Sequence, residues 1–218
     1  TMPRIGDIRE YKRELRARYR KKREDLDPAE KSRLDGDISG RFLRLNQYAS
    51  SNLILTYVST PIEVDTRGLI NRALSDGKRV AVPRCIDGTR EMEFYEIHSV
   101  SELKKRTFGV LEPDDNPERL VTDFKGSLCV VPALCFDNFG YRLGYGKGYY
   151  DRFLSGYGGV KVGICYSFGV RGRLIHGRFD CPVDVIVTER YIKTAALAAK
   201  NNRLDAMRKD ENHERRAF

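Results

Sequence analysis

The sequence predicts an α/β fold in three layers: an open, largely parallel sheet with helices on both faces and a small antiparallel edge element. Three observations carry this. LILTYV (53–58), SLCVVPALCF (127–136), VKVGICYS (160–167) and VDVIVTE (183–189) are strand-length runs too uniformly apolar to leave a face in water. Segments of helical periodicity separate them. MEFYEI (92–97) instead alternates with period two, as an antiparallel or edge strand does.

Taken in order, Ile8, Tyr11, Leu15 and Tyr19 recur at helical spacing and predict a first helix over 7–25, its other faces almost wholly Arg and Lys. Asp27-Pro28-Ala29-Glu30 restarts the chain, with Asp27 as N-cap, Pro28 at the first helical position and Glu30 closing a capping box. Leu34, Ile38, Phe42 and Leu45 extend that helix to about 47. After the 53–58 strand, Asp65 caps a helix through Leu69, Ile70 and Leu74 that stops at Gly77. RVAVP (79–83) is the next strand, then MEFYEI, a short helix over 99–107 and a long loop over 109–127. The strand at 127–136 leads into a glycine-rich loop, and a helix begins near Lys147.

The 218 residues suit one α/β domain over 1–193, whose residues 1–26 form a basic N-terminal helix, with a charged tail over 194–218. The formal charge of +9 invites a nucleic-acid reading, but its distribution argues otherwise. Residues 1–23 carry ten basic and three acidic groups, residues 190–218 eight and four, and the body 22 and 24. No aromatic-stacking or recognition-helix pattern accompanies the basic ends, so nucleic acid is not the expected partner. Cys85, Cys129, Cys135, Cys165 and Cys181 include no CxxC pair, and several lie in apolar runs. That usage predicts a reducing, cytoplasmic setting and a core role for Cys135. No apolar run reaches the length of a membrane span, and no secretory leader is expected. A monomer is expected.

In open α/β sheets, ligands gather at the carboxyl ends of strands. The richest such place is the stretch from Cys135 to Arg152, CFDNFGYRLGYGKGYYDR. Gly140, Gly144, Gly146 and Gly148 let a backbone approach a ligand and expose successive N–H groups, and the helix that follows adds its positive end. Lys147 and Arg142 supply full charges, and Asp151 an oxygen ligand for magnesium. A bare GxGxG is most often a solvated turn. Glycines joined to Arg, Lys, Asp and the aromatic pair Tyr149 and Tyr150, directly after a core strand, point to a nucleotide-phosphate site.

FDNFGYRLGYGKGYYDR (136–152) resembles the FDxxGxRLGxGxGYYDR signature of the 5-formyltetrahydrofolate cyclo-ligase family. Lys12-Arg-Glu-Leu-Arg16, Tyr57-Val-Ser-Thr-Pro-Ile-Glu63-Val-Asp65-Thr66, Val82-Pro83 with Met92-Glu-Phe94, Gly109-Val-Leu-Glu112-Pro113 and Asp184-Val-Ile-Val-Thr188-Glu189 follow in family order. The resemblance implies an ATP- and Mg²⁺-dependent closure of 5-formyltetrahydrofolate, possibly polyglutamylated, to 5,10-methenyltetrahydrofolate, releasing ADP and phosphate. It implies that Lys12 and Arg16 contact ATP, together with Arg142, Leu143, Gly144, Tyr145, Gly146, Lys147, Gly148, Tyr149 and Tyr150. Lys147 and Arg142 would act on the transferring phosphate. Val58, Glu63 and Tyr150 would contact the folate, and Asp151 and Asp184 the metal. The family's Pro-x-Glu-x-His-Asp run is here Ile175-His-Gly-Arg-Phe-Asp180, which keeps only the Asp. A phosphate-sugar isomerase or CoA-transferase relative and a nucleic-acid binder on the same scaffold are the alternatives. Intact Lys147 and Asp151 favour the ligase over both.

Overall fold

A computed structural model describes residues 5–106 and 109–196. Helix α1 (Ile5–Glu24) is followed by α2 (Pro28–Leu43), α3 (Asn46–Ser50), β1 (Leu53–Thr56), α4 (Arg67–Ser75), β2 (Arg79–Cys85) and β3 (Met92–Ile97). Then come β4 (Lys104–Lys105), β5 (Leu111–Glu112), β6 (Ser127–Pro132), β7 (Cys135–Asp137) and β8 (Arg142–Leu143). Helix α5 (Tyr149–Gly156), β9 (Val160–Ile164), β10 (Val170–Arg171), β11 (Val185–Val187) and β12 (Ile192–Thr194) complete the set. The tail expected over 194–218 lies outside the described residues from 197 onward. Among the described residues no helix is long and apolar enough to cross a membrane.

The seven-stranded sheet runs β12-β11-β9-β6-β1-β2-β3. Its five inner strands are parallel, and β3 and β12 close the two edges antiparallel. MEFYEI occupies the edge its alternation predicts. The opposite edge escapes periodicity because β12 has three residues, and both its first residue Ile192 and the preceding Tyr191 are exposed.

Strand alternation builds two cores. Ile54, Val80, Val82, Leu128, Val130, Val162 and Val185 face one side, where Leu34, Ile38 and Phe42 of α2 and Leu69, Ile70 and Ala73 of α4 cover them. Leu53, Leu55, Ala81, Cys129, Val131 and Ile186 face the other, under Leu154 of α5 and Tyr157. Leu15 and Tyr19 of α1 pack elsewhere, on Leu134, Cys135, Leu143 and Leu174 beyond the strand ends. That placement brings the basic helix to the functional end of the sheet.

Asp27 caps α2 as expected, its Oδ2 accepting from the N–H of Ala29 (3.0 Å) and Glu30 (3.1 Å). Glu30 pairs with Arg33 rather than closing the box. The helix ends at Leu43, short of 47, because Leu45 turns extended and both Leu45 and Tyr48 then reach the core. The helix expected over 99–107 is a single 3₁₀ turn, Val100–Glu102, followed by β4, which pairs with β5 from the expected loop.

The strand expected over 127–136 is two strands. β6 ends at Pro132, which lacks the N–H to continue a ladder, and the chain leaves the sheet through Ala133 and Leu134. β7 belongs to a separate three-stranded sheet, β10-β7-β8. Both segments are wholly buried, so hydrophobicity could not mark the break.

Gly163 of β9 lies under the ring of Phe136, where any Cβ would collide with it. Gly163→Ala is therefore expected to destabilise the protein by about 1–3 kcal/mol through overpacking. A melting temperature equal to that of the parent would contradict this contact.

Candidate active site

The glycine loop is shaped by a carboxylate. Asp137 is fully buried; its Oδ1 accepts from the N–H of Phe139 (2.9 Å) and Tyr141 (3.0 Å), and its Oδ2 from Leu174 N–H (2.9 Å). The turn this enforces puts Gly140 at φ 91°, against the Val183 backbone, where no side chain fits. β8 then returns along β7 and delivers residues 142–148 to the carboxyl end of the sheet. Gly146 (φ 96°) and Gly148 (φ 81°) need the left-handed region that glycine tolerates. Gly148 immediately precedes α5, so loop N–H groups and a helix start converge there.

Helix α1 clamps this loop from outside. Arg16 Nε donates to Gly144 O (3.0 Å), and the Arg20 guanidinium lies 5.7 Å from the centroid of the Tyr145 ring. Lys12 Nζ pairs with Asp180 Oδ2 at 2.9 Å. Arg142, its side chain 5% exposed, donates to Asp151 Oδ1 at 2.7 Å and approaches the Tyr150 ring to 5.7 Å. Its Nε and the Tyr150 hydroxyl are both buried without a hydrogen-bond partner. Two unsatisfied donors at the head of one short helix are costly unless a ligand meets them. Lys147 is exposed on the loop, Leu143 is buried under α1, and Tyr149 reaches the carbonyl of Thr89 (3.4 Å).

The turn after β1 supplies the second wall. Val58 is buried, and Thr66 Oγ1 donates to Tyr57 O (2.7 Å) to fold the segment back. Glu63, 7% exposed, accepts from the N–H (2.8 Å) and hydroxyl (2.9 Å) of Thr60. The Tyr145 phenol lies close enough to Glu63 to feel its charge, so the glycine loop and this turn approach each other. Burial first, then the Glu63 charge, pushes the Tyr145 phenol above its usual range, with Arg23 opposing. Burial likewise raises Tyr150 well above its usual range, followed by Cys129 and Glu63.

The two carboxylates expected at a metal have different surroundings. Asp151 stands in the first turn of α5 beside Arg142. Asp184 accepts from Lys161 N–H (2.8 Å) and pairs with the Lys161 ammonium (3.6 Å), which ties it to β9. Asp180, to which the sequence assigns no role, pairs with Lys12, and the thiol of Cys181 next to it in sequence donates to the Asp151 carbonyl (3.7 Å). Among the described residues no three His, Cys, Asp or Glu side chains are grouped to hold a metal ion. All five cysteines are unpaired. Burial holds the Cys135 thiol up at about 12 and Cys85 at about 11, so neither is an activated nucleophile.

The 5-formyltetrahydrofolate cyclo-ligase family model matches residues 8–189. The chain belongs to this family of ligases. A Schizosaccharomyces pombe protein named "Probable 5-formyltetrahydrofolate cyclo-ligase" is 34% identical over 142 residues, 59% of this chain and 69% of that protein. The NMR structure of Aquifex aeolicus 5,10-methenyltetrahydrofolate synthetase superposes with a TM-score of 0.75 at 35% identity, covering 85% of this chain and 93% of the other. The 5,10-methenyltetrahydrofolate synthetase from Mycoplasma pneumoniae gives 0.63 at 27% identity, covering 82% and 98%. The family match spans α1, the turn after β1 and the glycine loop, the three parts that meet at this site.

Burial opposes ionisation of Asp180, but the Gly177 N–H, Lys12 and Arg142 outweigh it and hold its carboxyl below the usual range. A lowered folded value means that the ion pair stabilises the protein above the ordinary aspartate value of about 3.9. That contribution disappears as the pH falls from there through the lower folded value. Asp180→Asn is expected to cost about 1–2 kcal/mol at neutral pH, with the two unfolding curves converging in acid. Curves that stay parallel across the pH range would contradict the pairing.

Proposed function

We propose that the chain catalyses the ATP-dependent cyclisation of 5-formyltetrahydrofolate to 5,10-methenyltetrahydrofolate, with release of ADP and phosphate. The observation that carries this is the convergence of the buried Arg142 guanidinium and the glycine loop at the start of α5, inside a chain of the cyclo-ligase family.

An N-formyl oxygen is a poor leaving group. In the proposed sequence it attacks the γ-phosphorus, the bond from that phosphorus to the β,γ-bridging oxygen breaks, and ADP leaves. N10 then attacks the formyl carbon and loses its proton, and phosphate departs with the former formyl oxygen. The protein's work is positioning and charge neutralisation. Arg142 and Lys147 would face the phosphates; from α1, Arg16 reaches the same loop at Gly144 and Lys12 reaches Asp180. Lys12 would exchange Asp180 for a phosphate oxygen. Leu143, packed under α1, and Gly144 to Gly148 set the backbone against the triphosphate, with Tyr149 and Tyr150 flanking the start of α5. Glu63 would accept from the pterin N–H groups, and Val58 and Tyr150 would supply apolar contact.

Mg²⁺ keeps several waters and is usually bound through one or two carboxylates plus substrate phosphates. The site fits that habit: Asp151 pairs with Arg142, Asp180 adjoins Cys181, whose thiol reaches the Asp151 carbonyl, and there is no all-protein cage among the described residues. We therefore assign Asp180, rather than Asp184, as the partner of Asp151. The ion would neutralise charge on the transferring phosphate. Every group used comes from one chain, so a monomer suffices, and five unpaired cysteines suit a reducing compartment such as the cytoplasm.

The test incubates the protein with 5-formyltetrahydrofolate and Mg-ATP and follows the methenyl product by absorbance. Folded protein that forms no ATP-dependent product would overturn the reading. Lys147→Ala is expected to lower kcat by about 100-fold or more with the melting temperature kept; near-parent turnover would remove its role. Glu63→Gln should raise the folate KM by about tenfold or more and leave the ATP KM unchanged.

A further inference from the structure

Arg16, Arg20 and Arg23 of α1 stand four and three residues apart, which puts them on one face of the helix. All three reach the same two consecutive residues of the glycine loop. Arg16 Nε donates to Gly144 O at 3.0 Å. The Arg20 guanidinium lies 5.7 Å from the centroid of the Tyr145 ring, and Arg23 Nη1 donates to the Tyr145 hydroxyl at 3.4 Å. Arg23 is 3% exposed, and its Nη2 donates to the carbonyls of Ala133 and Leu134, the latter at 3.1 Å, where the chain leaves β6. The grip on Tyr145 is thereby referenced to the central sheet.

Tyr145 stands between Gly144 and Gly146, and glycine has more backbone freedom to lose than any other residue. Nothing in a bare glycine segment selects the form in which its N–H groups converge on the start of α5. A side chain held at ring and hydroxyl supplies that selection, and the Tyr145 ring also packs against the cluster of Leu15, Tyr19, Leu134 and Leu143. Simpler roles are available to both arginines. Arg20 is exposed and could be no more than a charge that draws anions, and Arg23 could be no more than a support for the two carbonyls. Neither of those roles needs Tyr145, yet both side chains reach it.

We propose that Tyr145 is the handle by which α1 sets the glycine loop. Arg20 on its ring and Arg23 on its hydroxyl are positioning residues for the nucleotide, holding the backbone of Gly144 to Gly148 in the form that receives the phosphates. A loop already ordered in that form loses less entropy when the ligand arrives, and so binds it more tightly. This rests on the nucleotide reading of the loop. It differs from the roles of Lys12 and Arg16, which are proposed to contact ATP themselves.

The experiment measures Mg-ATP affinity by calorimetry, alongside thermal unfolding, for Arg20→Gln and Arg23→Gln, each in the parent and in the Tyr145→Phe and Tyr145→Leu backgrounds. Arg20→Gln is expected to weaken binding about threefold in the parent and in Tyr145→Phe, which keeps the ring, and not further in Tyr145→Leu. Arg23→Gln is expected to weaken binding about threefold in the parent and in neither background, since both lack the hydroxyl. Equal losses in all three backgrounds, or no loss in the parent, would overturn the proposal for the arginine concerned. Arg20 would then be an attracting charge alone, and Arg23 a support for the carbonyls alone. Arg20 is exposed, so its half of the experiment stands even if Arg23→Gln does not fold. A folded parent that binds no Mg-ATP would instead sink the nucleotide reading itself, a result distinguishable from equal losses.

Discussion

The site depends on one buried carboxylate. Asp137 accepts three backbone N–H groups, two from the turn that follows it and one from Leu174, which lies 37 residues further along the chain. An ionisable group is expensive to bury, and accepting several backbone donors is what makes such burial tolerable. Satisfying Asp137 therefore fixes the turn at 138–141, the return of β8, and the approach of the segment that carries Asp180. Gly140 completes the constraint, because its backbone lies so close to Val183 that no Cβ fits.

Around that pivot the fold divides its labour. The parallel strands are buried on both faces and carry stability, while the groups proposed for chemistry lie where strands end and helices begin. α1 is the exception in kind. It covers neither face of the sheet but caps the strand ends with Leu15 and Tyr19, and its basic residues face inward at Lys12, Arg16 and Arg23. The surplus positive charge of this end is thus partly spent on the loop it clamps. The unsatisfied Arg142 Nε and Tyr150 hydroxyl show the same logic, since polar groups left unpaired in a well-packed region mark where a ligand belongs.

Much of this was legible from residues alone. Long apolar runs located β1, β2, β6, β9 and β11, and period-two alternation identified β3 as an edge. Asp27 and Pro28 marked the start of α2 through local capping chemistry that needs no tertiary context. Failures fell where local signals are silent. Residues 127–136 read as one strand because both halves are buried, although they lie in different sheets. β12 was invisible because three residues, two of them exposed, carry no period. The tail from residue 197 lies outside the described residues, and its charge keeps no structural account.

The sequence by itself determined the fold class, the glycine loop and the residues proposed to face phosphate, because spacing and residue type suffice for local backbone chemistry. Only the tertiary structure decided which carboxylates share a neighbourhood. Asp184 and Asp180 are four positions apart, yet one is tied to Lys161 of β9 and the other reaches Lys12 of α1, 168 positions away. Only folding, likewise, could reveal that Arg23 is buried between the Tyr145 hydroxyl and the ring of Tyr166, which donates to Asp35. In a helix so rich in Arg and Lys, sequence offers no sign of which cation turns inward. That choice belongs to the packing of α1 against the strand ends.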